Sequence, residues 1–288
     1  MPSSAEAFEA ERSHLVAVAY RMLGSVAEAQ DVVQEAWLRY TRAGDQEIRD
    51  LRGWLTTVTG RLCLDVLKSS RVSREAYTGM WLPEYFVDPD VGPAAQAEQR
   101  DQVGLALLVV LERLSPEQRV ALVLHDAFAV PYDEVARVLG TTEATARQHA
   151  SRGRKAAADG SVRHNAGLAE QRSVLAAFLE AVNNGDMAAL ASVLAPDVVS
   201  ISDGGGFTST ALRPIVGADK VSRFFVGIAH GSRMAGAVLE PALINGTAGI
   251  FVRGDTVYGA LGVTVADGRI TGLFQQLNPA KLLVSDLL

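Results

Sequence analysis

One cysteine, Cys63, stands among 288 residues. That excludes an internal disulfide framework and every metal site built from several cysteines. Cys63 falls in an apolar-periodic stretch, where it reads as a small core residue. Long apolar runs are also missing. None approaches the roughly 20 residues needed to cross a bilayer, so no membrane partner is expected. Met1 to Arg12 is Ser/Ala/Glu-rich and mildly acidic, and does not read as a signal peptide. These absences fit a reducing cytoplasm. A basic excess is absent too: 27 Lys and Arg face 33 Asp and Glu, for a net charge of −6. That argues against a free-standing, tight nucleic-acid binder. It leaves room for a protein that touches DNA only beside a basic partner.

What is present is apolar patterning in three styles. From Phe8 to about Ala76, apolar residues recur at helical spacing (Leu15, Val18, Ala19 and Met22; then Val33, Trp37 and Tyr40; then Leu51, Leu55, Val58, Leu62 and Val66), punctuated by Gly24, Gly44 and Gly53. Periodicity fades from Tyr77, where Pro83, Pro89, Gly92 and Pro93 mark a linker that turns acidic from Glu84 to Asp101. Its Trp81, Leu82, Tyr85 and Phe86 are too apolar for full solvation, so it is expected to dock. Helices resume near Ala97. Ser115-Pro116-Glu117-Gln118 predicts a helix start, with a Ser cap, Pro at the first helical position and Gln118 completing a capping box. After Gly160 to Gly167, helices are predicted over 169–182, 186–194 and 220–228. Strand-like runs follow over 237–244, 248–252, 256–265 and 270–277, with turns at Asn245-Gly246, Gly254-Asp255 and Asp267-Gly268. The expected division is a helical bundle over 1–76, a linker over 77–100, a second helical domain over 101–160, a linker over 161–168 and an α+β domain over 169–288.

The sharpest local pattern lies between Tyr132 and Arg154. A first helix with Val135 and Leu139 inward is followed by Gly140 as a tight turn, and Thr141 or Thr142 can cap a second helix. Ala146 and Ala150 face the core, leaving Arg147, Gln148, Ser151, Arg152, Arg154 and Lys155 outward. A helix-turn-helix needs this arrangement, because its second helix enters the major groove. Six basic residues face two acidic ones between Arg137 and Arg163. Two ordinary helices with a solvated basic face would show the same pattern.

In order and spacing, these features resemble the extracytoplasmic-function (ECF) sigma factors of RNA polymerase. Asp31-Val32-Val33-Gln34-Glu35-Ala36-Trp37-Leu38 is similar to the signature helix of the family's first domain. Gly53-Trp54-Leu55 with Leu62-Cys63-Leu64-Asp65 resembles its promoter-melting helices. Leu114 to Arg119 and the helix-turn-helix resemble its second domain. The resemblance implies polymerase binding through Asp31, Gln34, Glu35 and Leu38. It implies −10 contacts through Arg52, Trp54, Arg61 and Lys68. Contacts at −35 would come from Thr142, Arg147, Gln148, Arg152, Arg154 and Lys155. The residues alone leave blander readings open: a solvated acidic stripe, a salt-bridged surface around Asp65, and a core role for Trp54.

The last 120 or so residues resemble the SnoaL-like (NTF2-like) fold, a curved sheet with helices around a cone-shaped cavity. Trp81-Leu82-Pro83-Glu84, Asp203-Gly204-Gly205-Gly206 and Asn278-Pro279-Ala280-Lys281 are similar to motifs of a branch of these sigma factors in which that domain is a built-in regulator. Tyr85 stands where the branch usually has proline, and Ala280 where it usually has aspartate. The expected partners are polymerase core, promoter DNA and a candidate small-molecule ligand of the C-terminal domain; no cofactor, metal or catalytic residue is expected. Two rivals remain at this level. One is a free-standing helix-turn-helix regulator. The other is a cyclase- or isomerase-type enzyme with Asp203 as general base. Against the second, Asp203 reads equally well as a cap on the amides of a Gly-rich turn.

Overall fold

The computed structural model describes residues 3–43, 48–75, 77, 79–88, 104–159, 166–255 and 257–284. Gly44, the linker beyond Asp88, the helix start near Ala97 and residues 160–165 lie outside them. The chain divides into two compact units, Met1–Ala76 with Val110–Gly160, and Tyr77–Val109 with Ser161–Leu288. Among the described residues, no helix is long and apolar enough to cross a membrane.

The first unit is all helical. Helix α1 spans Ser4–Leu23, α2 Val26–Ala43 and α3 Leu51–Glu75. Ser3 and Glu6 form a capping box at the start of α1, and Gly24 ends it at φ 70°, a backbone that only glycine adopts without strain. Gly53 does not break the chain as expected. It sits in the first turn of α3, where its N–H donates to Asp50 Oδ1 at 3.0 Å and a Cβ would strike that carboxylate. Phe8, Val33 and Leu55 join the three helices, with Trp37, Tyr40 and Trp54 packed around them.

The later part of this unit begins after α4 (Leu105–Leu111), which crosses the boundary between the units. Helix α5 (Pro116–Leu122) carries the expected Ser115–Gln118 capping box and runs into a π-helical turn, Val123–Ala127. Helices α6 (Tyr132–Leu139) and α7 (Glu143–Asp159) follow, joined through Gly140 at φ 64°. The inward residues of α6 are Val135, Ala136 and Val138, with Leu139 only partly buried. The alanines of α7 are small for a purpose. Ala146 and Ala150 are fully buried, and a Cβ at Gly153 would stand 3.2 Å from the Gln118 carbonyl oxygen. Small residues let α7 lie close on α5.

The second unit is α+β. Helices α8 (Leu168–Asn184), α9 (Met187–Val193) and α10 (Ala218–Ala229) cover one face of an eight-stranded sheet ordered β3-β2-β7-β6-β5-β4-β1-β8. Its strands are β1 Tyr85–Asp88, β2 Leu194–Asp203, β3 Ile215–Val216, β4 Val238–Ile244, β5 Thr247–Arg253, β6 Tyr258–Ala266, β7 Arg269–Gln276 and β8 Leu282–Val284. Asn245-Gly246 and Asp267-Gly268 have positive φ at both residues, as two-residue hairpins require. On the helix-covered face, Val198, Ile250, Leu261, Val263 and Leu273 meet Phe178, Val182 and Phe225. On the other face, Ile201, Phe251, Ala260 and Phe274 meet Leu82, Tyr85, Val87, Leu105 and Val109.

The expected linker is therefore in part a strand. Tyr85–Val87 pairs in parallel with Leu282–Val284, and Val87 and Asp88 pair antiparallel with Ile244 and Leu243. Tyr85 and Val87 are buried while Phe86 and Asp88 are half-buried, a two-residue alternation too short to stand out in sequence. Asn245 seals the junction: its Oδ1 accepts from the Phe86 N–H at 3.2 Å and its own N–H donates to the Phe86 carbonyl at 3.0 Å.

Candidate functional site

Helix α7 presents Thr142, Arg147, Gln148, Arg152, Arg154 and Lys155 at its start or on its exposed face. Thr142 caps the helix, its Oγ1 accepting from the Thr145 N–H at 3.3 Å. The basic residues differ in what holds them. Arg154 donates to both Asp126 carboxylate oxygens, at 2.7 and 3.1 Å, and to the Tyr132 hydroxyl at 2.5 Å. The guanidinium of Arg147 pairs with Glu143 and lies 4.5 Å above the Tyr132 ring. Gln148, Arg152 and Lys155 project from the same exposed face.

The −10 candidates lie on α3. Arg52 reaches His14 Nδ1 at 3.0 Å and Glu11 at 3.6 Å. Burial, and then the Arg52 charge, hold the His14 imidazole below its usual pKa. Trp54 packs with Tyr40, ring centroids 6.1 Å apart, as a half-buried anchor. Arg61 donates twice to the Arg137 carbonyl, at 2.9 and 3.3 Å, and Lys68 pairs with Glu117 at 3.3 Å. Both thus contact the helices of the later half of the same unit. On α2, Asp31, Gln34 and Leu38 are exposed and Glu35 pairs with Arg39 at 3.2 Å. Asp31 and Gln34 edge a groove of about 420 Å³ floored by Phe8, Val33 and Trp37.

In the second unit, three separated motifs converge on one carboxylate. Asp203, at the end of β2, is fully buried. Its Oδ1 accepts from the Tyr77 hydroxyl at 2.7 Å and the Gly205 N–H at 3.0 Å. Its Oδ2 accepts from the Leu82 N–H and from Lys281 Nζ, each at 2.8 Å. Lys281 also donates to the Leu82 carbonyl at 3.0 Å and lies over the rings of Trp81, at 4.1 Å, and Tyr77, at 4.5 Å. Asn278 donates to the Tyr77 hydroxyl at 3.0 Å and caps the Pro279–Lys281 turn through the Ala280 N–H. Burial and the bond to Asp203 raise the Tyr77 phenol above its usual range. Gly205, at φ 56°, passes so close to Asn278 that a Cβ would overlap its amide. A Cβ on Gly204 would strike the Thr208 carbonyl, and Gly206 turns the chain at φ 81°.

Trp81, Leu82, Asp203, Gly205, Asn278 and Lys281 are thus brought together. Pro83 is buried beside them, its carbonyl accepting from Gln276 Nε2 at 3.0 Å, and Glu84 is half-buried. The Gly-rich turn with Asp203 capping an amide is what is observed, and the same carboxylate carries the linker. Asp203 faces away from the helix-covered side of the sheet, so it is not a general base in the domain's cavity. Neither departure from the branch motifs disturbs the cluster. Tyr85 is buried with its hydroxyl 3.4 Å from the Phe274 carbonyl, and Ala280 is exposed. Tyr77 and Gln276 escaped sequence reasoning. Tyr77 stands 126 positions from its acceptor, and nothing local marks it.

Two helical domains, the second with a helix-turn-helix, define a DNA-reading transcription factor. Residues 7–72 match the sigma-70 region 2 family and residues 104–156 match sigma-70 region 4. The chain is 44% identical over 300 residues to the ECF RNA polymerase sigma factor SigJ of Mycobacterium tuberculosis, covering 97% of this chain and 93% of that one. It is 36% identical to the probable ECF sigma factor SigI of the same organism, covering 96% and 93%. The crystal structure of M. tuberculosis SigJ superposes with a TM-score of 0.76 at 42% identity, covering 96% of this chain and 98% of that one. The chain belongs to the ECF RNA polymerase sigma factors, which direct polymerase core to promoter DNA and are not enzymes. Both rivals, the free-standing regulator and the cyclase- or isomerase-type enzyme, give way to that assignment.

Proposed function

We propose that the C-terminal SnoaL-like domain modulates this sigma factor by holding the segment that joins region 2 to region 4. The observation that carries the reading is the Asp203 cluster. It clamps Tyr77, Trp81 and Leu82, which immediately follow region 2 in the chain. Tyr85–Asp88 is drawn into the sheet, and Leu105 and Val109, at the start of the region 4 match, pack in the same cluster as Leu82 and Tyr85, so this domain holds the chain both on leaving region 2 and on entering region 4. Clamp release lengthens the tether and favours promoter engagement.

Within that scheme, Gln148, Arg152 and Lys155 read the −35 element, with Thr142 and Arg147 at the helix start. Arg154 acts mainly by bracing α7 against Asp126. Arg61 and Lys68 contact DNA at −10 once they leave Arg137 and Glu117, while Arg52 and Trp54 shape that surface. The Asp31–Gln34 groove, with Glu35 and Leu38 beside it, receives polymerase. Its acidic rim over an apolar floor suits a basic helical partner.

The test is run-off transcription by polymerase core with the full-length chain or its Lys281→Met variant. Cutting the chain near Ala158 would strip Leu82, Tyr85 and Val87 of their sheet partners, so a point variant is cleaner. A higher transcript yield is expected from Lys281→Met. An unchanged yield, with the variant folded, refutes modulation through the clamp.

A further inference from the structure

The helix-covered face of the C-terminal sheet holds a cavity of about 800 Å³, within the range of small-molecule sites. Its walls include Phe178, Val182, Phe225, Ile250 and Leu261. On the floor, the Ser202 hydroxyl donates to Gln275 Oε1 at 2.6 Å, and both residues are buried. The charged lining residues, Arg233 and Asp255, are exposed, and Arg233 donates to the Ser209 carbonyl at 2.9 Å. Phe207 and Leu239 line the same cavity yet are 68% and 46% exposed, an apolar entrance. Two residues along β2 from Ser202, the buried Ser200 hydroxyl has no hydrogen-bond partner among the described residues.

A charged head would lie at that floor without a counter-charge, which is strongly unfavourable. The floor also lacks any group able to take or give a proton near neutral pH. What it can do is satisfy one neutral polar end while the walls take up an apolar body. The strand register adds a second feature. Ser202 pairs with Gln275 and Asp203 with Gln276 on the parallel strands β2 and β7. Successive residues point to opposite faces. The polar floor and the linker clamp are therefore back to back on two dipeptides, Ser202-Asp203 and Gln275-Gln276.

We infer that this cavity is a receptor site for an uncharged, largely apolar small molecule with one hydrogen-bonding end, which meets Ser202 and Gln275, and that its occupancy reaches the clamp through Asp203 and Gln276. The regulatory meaning of the second half rests on the clamp reading above; the binding itself does not. A shift of β2 against β7 at the floor alters the geometry at Asp203, because Ser202 is peptide-bonded to Asp203 and Gln275 to Gln276.

The probe is N-phenyl-1-naphthylamine, an uncharged diarylamine with one N–H, titrated by fluorescence into the full-length chain. Its sulfonated analogue, 1-anilinonaphthalene-8-sulfonate, is the charged comparison. Saturable binding of one neutral probe per chain is expected, with the sulfonate at least about tenfold weaker. Leu261→Trp, which fills the cavity, should abolish it. Ser202→Ala, which removes the hydroxyl and its bond to Gln275 but keeps the cavity's shape, should weaken it severalfold. Amide exchange of the 77–88 segment should shift at least about threefold on binding. Absence of saturable binding, or equal binding in Ser202→Ala and a folded Leu261→Trp, overturns the receptor site. Binding with unchanged 77–88 exchange overturns the coupling. None of these readouts involves transcription, so a Lys281→Met chain of unaltered activity would sink the modulation scheme and leave the cavity standing.

Discussion

Replacing Asp203 with asparagine keeps the side-chain shape and removes its charge. In the native cluster two oxygens accept from four donors, Tyr77, Gly205, Leu82 and Lys281, all within 3.0 Å. An asparagine retains one oxygen and turns an NH2 group toward two of those donors. Lys281, 12% exposed at its side chain, keeps the Leu82 carbonyl and two aromatic faces but loses its counter-charge. Breaking a buried pair by removing one partner costs about 3–5 kcal/mol. The retained contacts place the loss near the lower end. About 3 kcal/mol is roughly a hundredfold in the opening equilibrium of the clamped segment. The assay is hydrogen exchange by mass spectrometry on the full-length chain, comparing peptides covering 77–88 with those covering 258–266. Local opening makes the first exchange about a hundredfold faster and leaves the second unchanged. Adding Lys281→Met should recover much of the loss, because a buried pair removed together costs less than one orphaned. Unchanged exchange at 77–88 in Asp203→Asn would refute the clamp as an energetic feature.

Two further predictions concern the helical unit. A Cβ on the buried Gly60 of α3 would lie 3.2 Å from Leu124 Cδ1 and Val138 Cγ1, so Gly60→Leu overpacks the contact between region 2 and region 4, at about 1–3 kcal/mol. Faster amide exchange in α6 with α1 protection retained is expected; joint loss of both would show that the contact cannot open without unfolding region 2. The lowered pKa of His14 means that the unfolded chain takes up its proton at higher pH than the folded chain does. Its effect on stability is therefore nil above about pH 7 and turns unfavourable as pH falls through the unfolded value of 6.5 toward the lower folded one. An NMR titration should place the His14 midpoint below 6.5, and Arg52→Gln should move it upward; a native midpoint at or above 6.5 contradicts the reading.

Where sequence patterning followed the period of an element, the fold was legible. The helices of region 2, the Ser115–Gln118 cap and the β4–β7 meander all carry local signals, and the Asn-Gly and Asp-Gly turns encode positive φ directly. The unit boundaries were not legible, because β1 has four residues and its partners, β4 and β8, lie more than 150 positions away. Strand β2 was missed for a related reason. Leu194–Asp203 pairs in parallel with β7 through a register shift between Leu194 and Val199, so its alternation is broken. At the site, the Asp203, Asn278 and Trp81 motifs were visible singly, and folding brings them together. Tyr77 and Gln276 have ordinary neighbours in sequence and acquire their roles only through contacts with distant residues.

The contact between region 2 and region 4 combines weak polar ties with a buried one. Arg61 and Lys68, the basic residues we propose for −10 contacts, are engaged by the Arg137 carbonyl and by Glu117. The Lys68–Glu117 pair is 52% and 32% exposed at its side chains, and such pairs contribute about 1 kcal/mol or less. The firmer tie is Arg119, 3% exposed, which donates to the Met22 carbonyl at 2.9 Å and to Glu112 at 2.7 Å. A hydrogen bond from a charged donor of this kind contributes about 1.5–3 kcal/mol. In that proposal, promoter phosphates would offer Arg61 and Lys68 full negative charges in place of a carbonyl and a part-exposed carboxylate. Counterion release adds to that exchange. Among the described residues, the buried Arg119, the apolar contact at Gly60, and Phe128 against His14 and Arg21 are then what remains to be broken. A net charge of −6 opposes approach to DNA, so weak promoter binding by the isolated chain is the expected outcome of a direct titration.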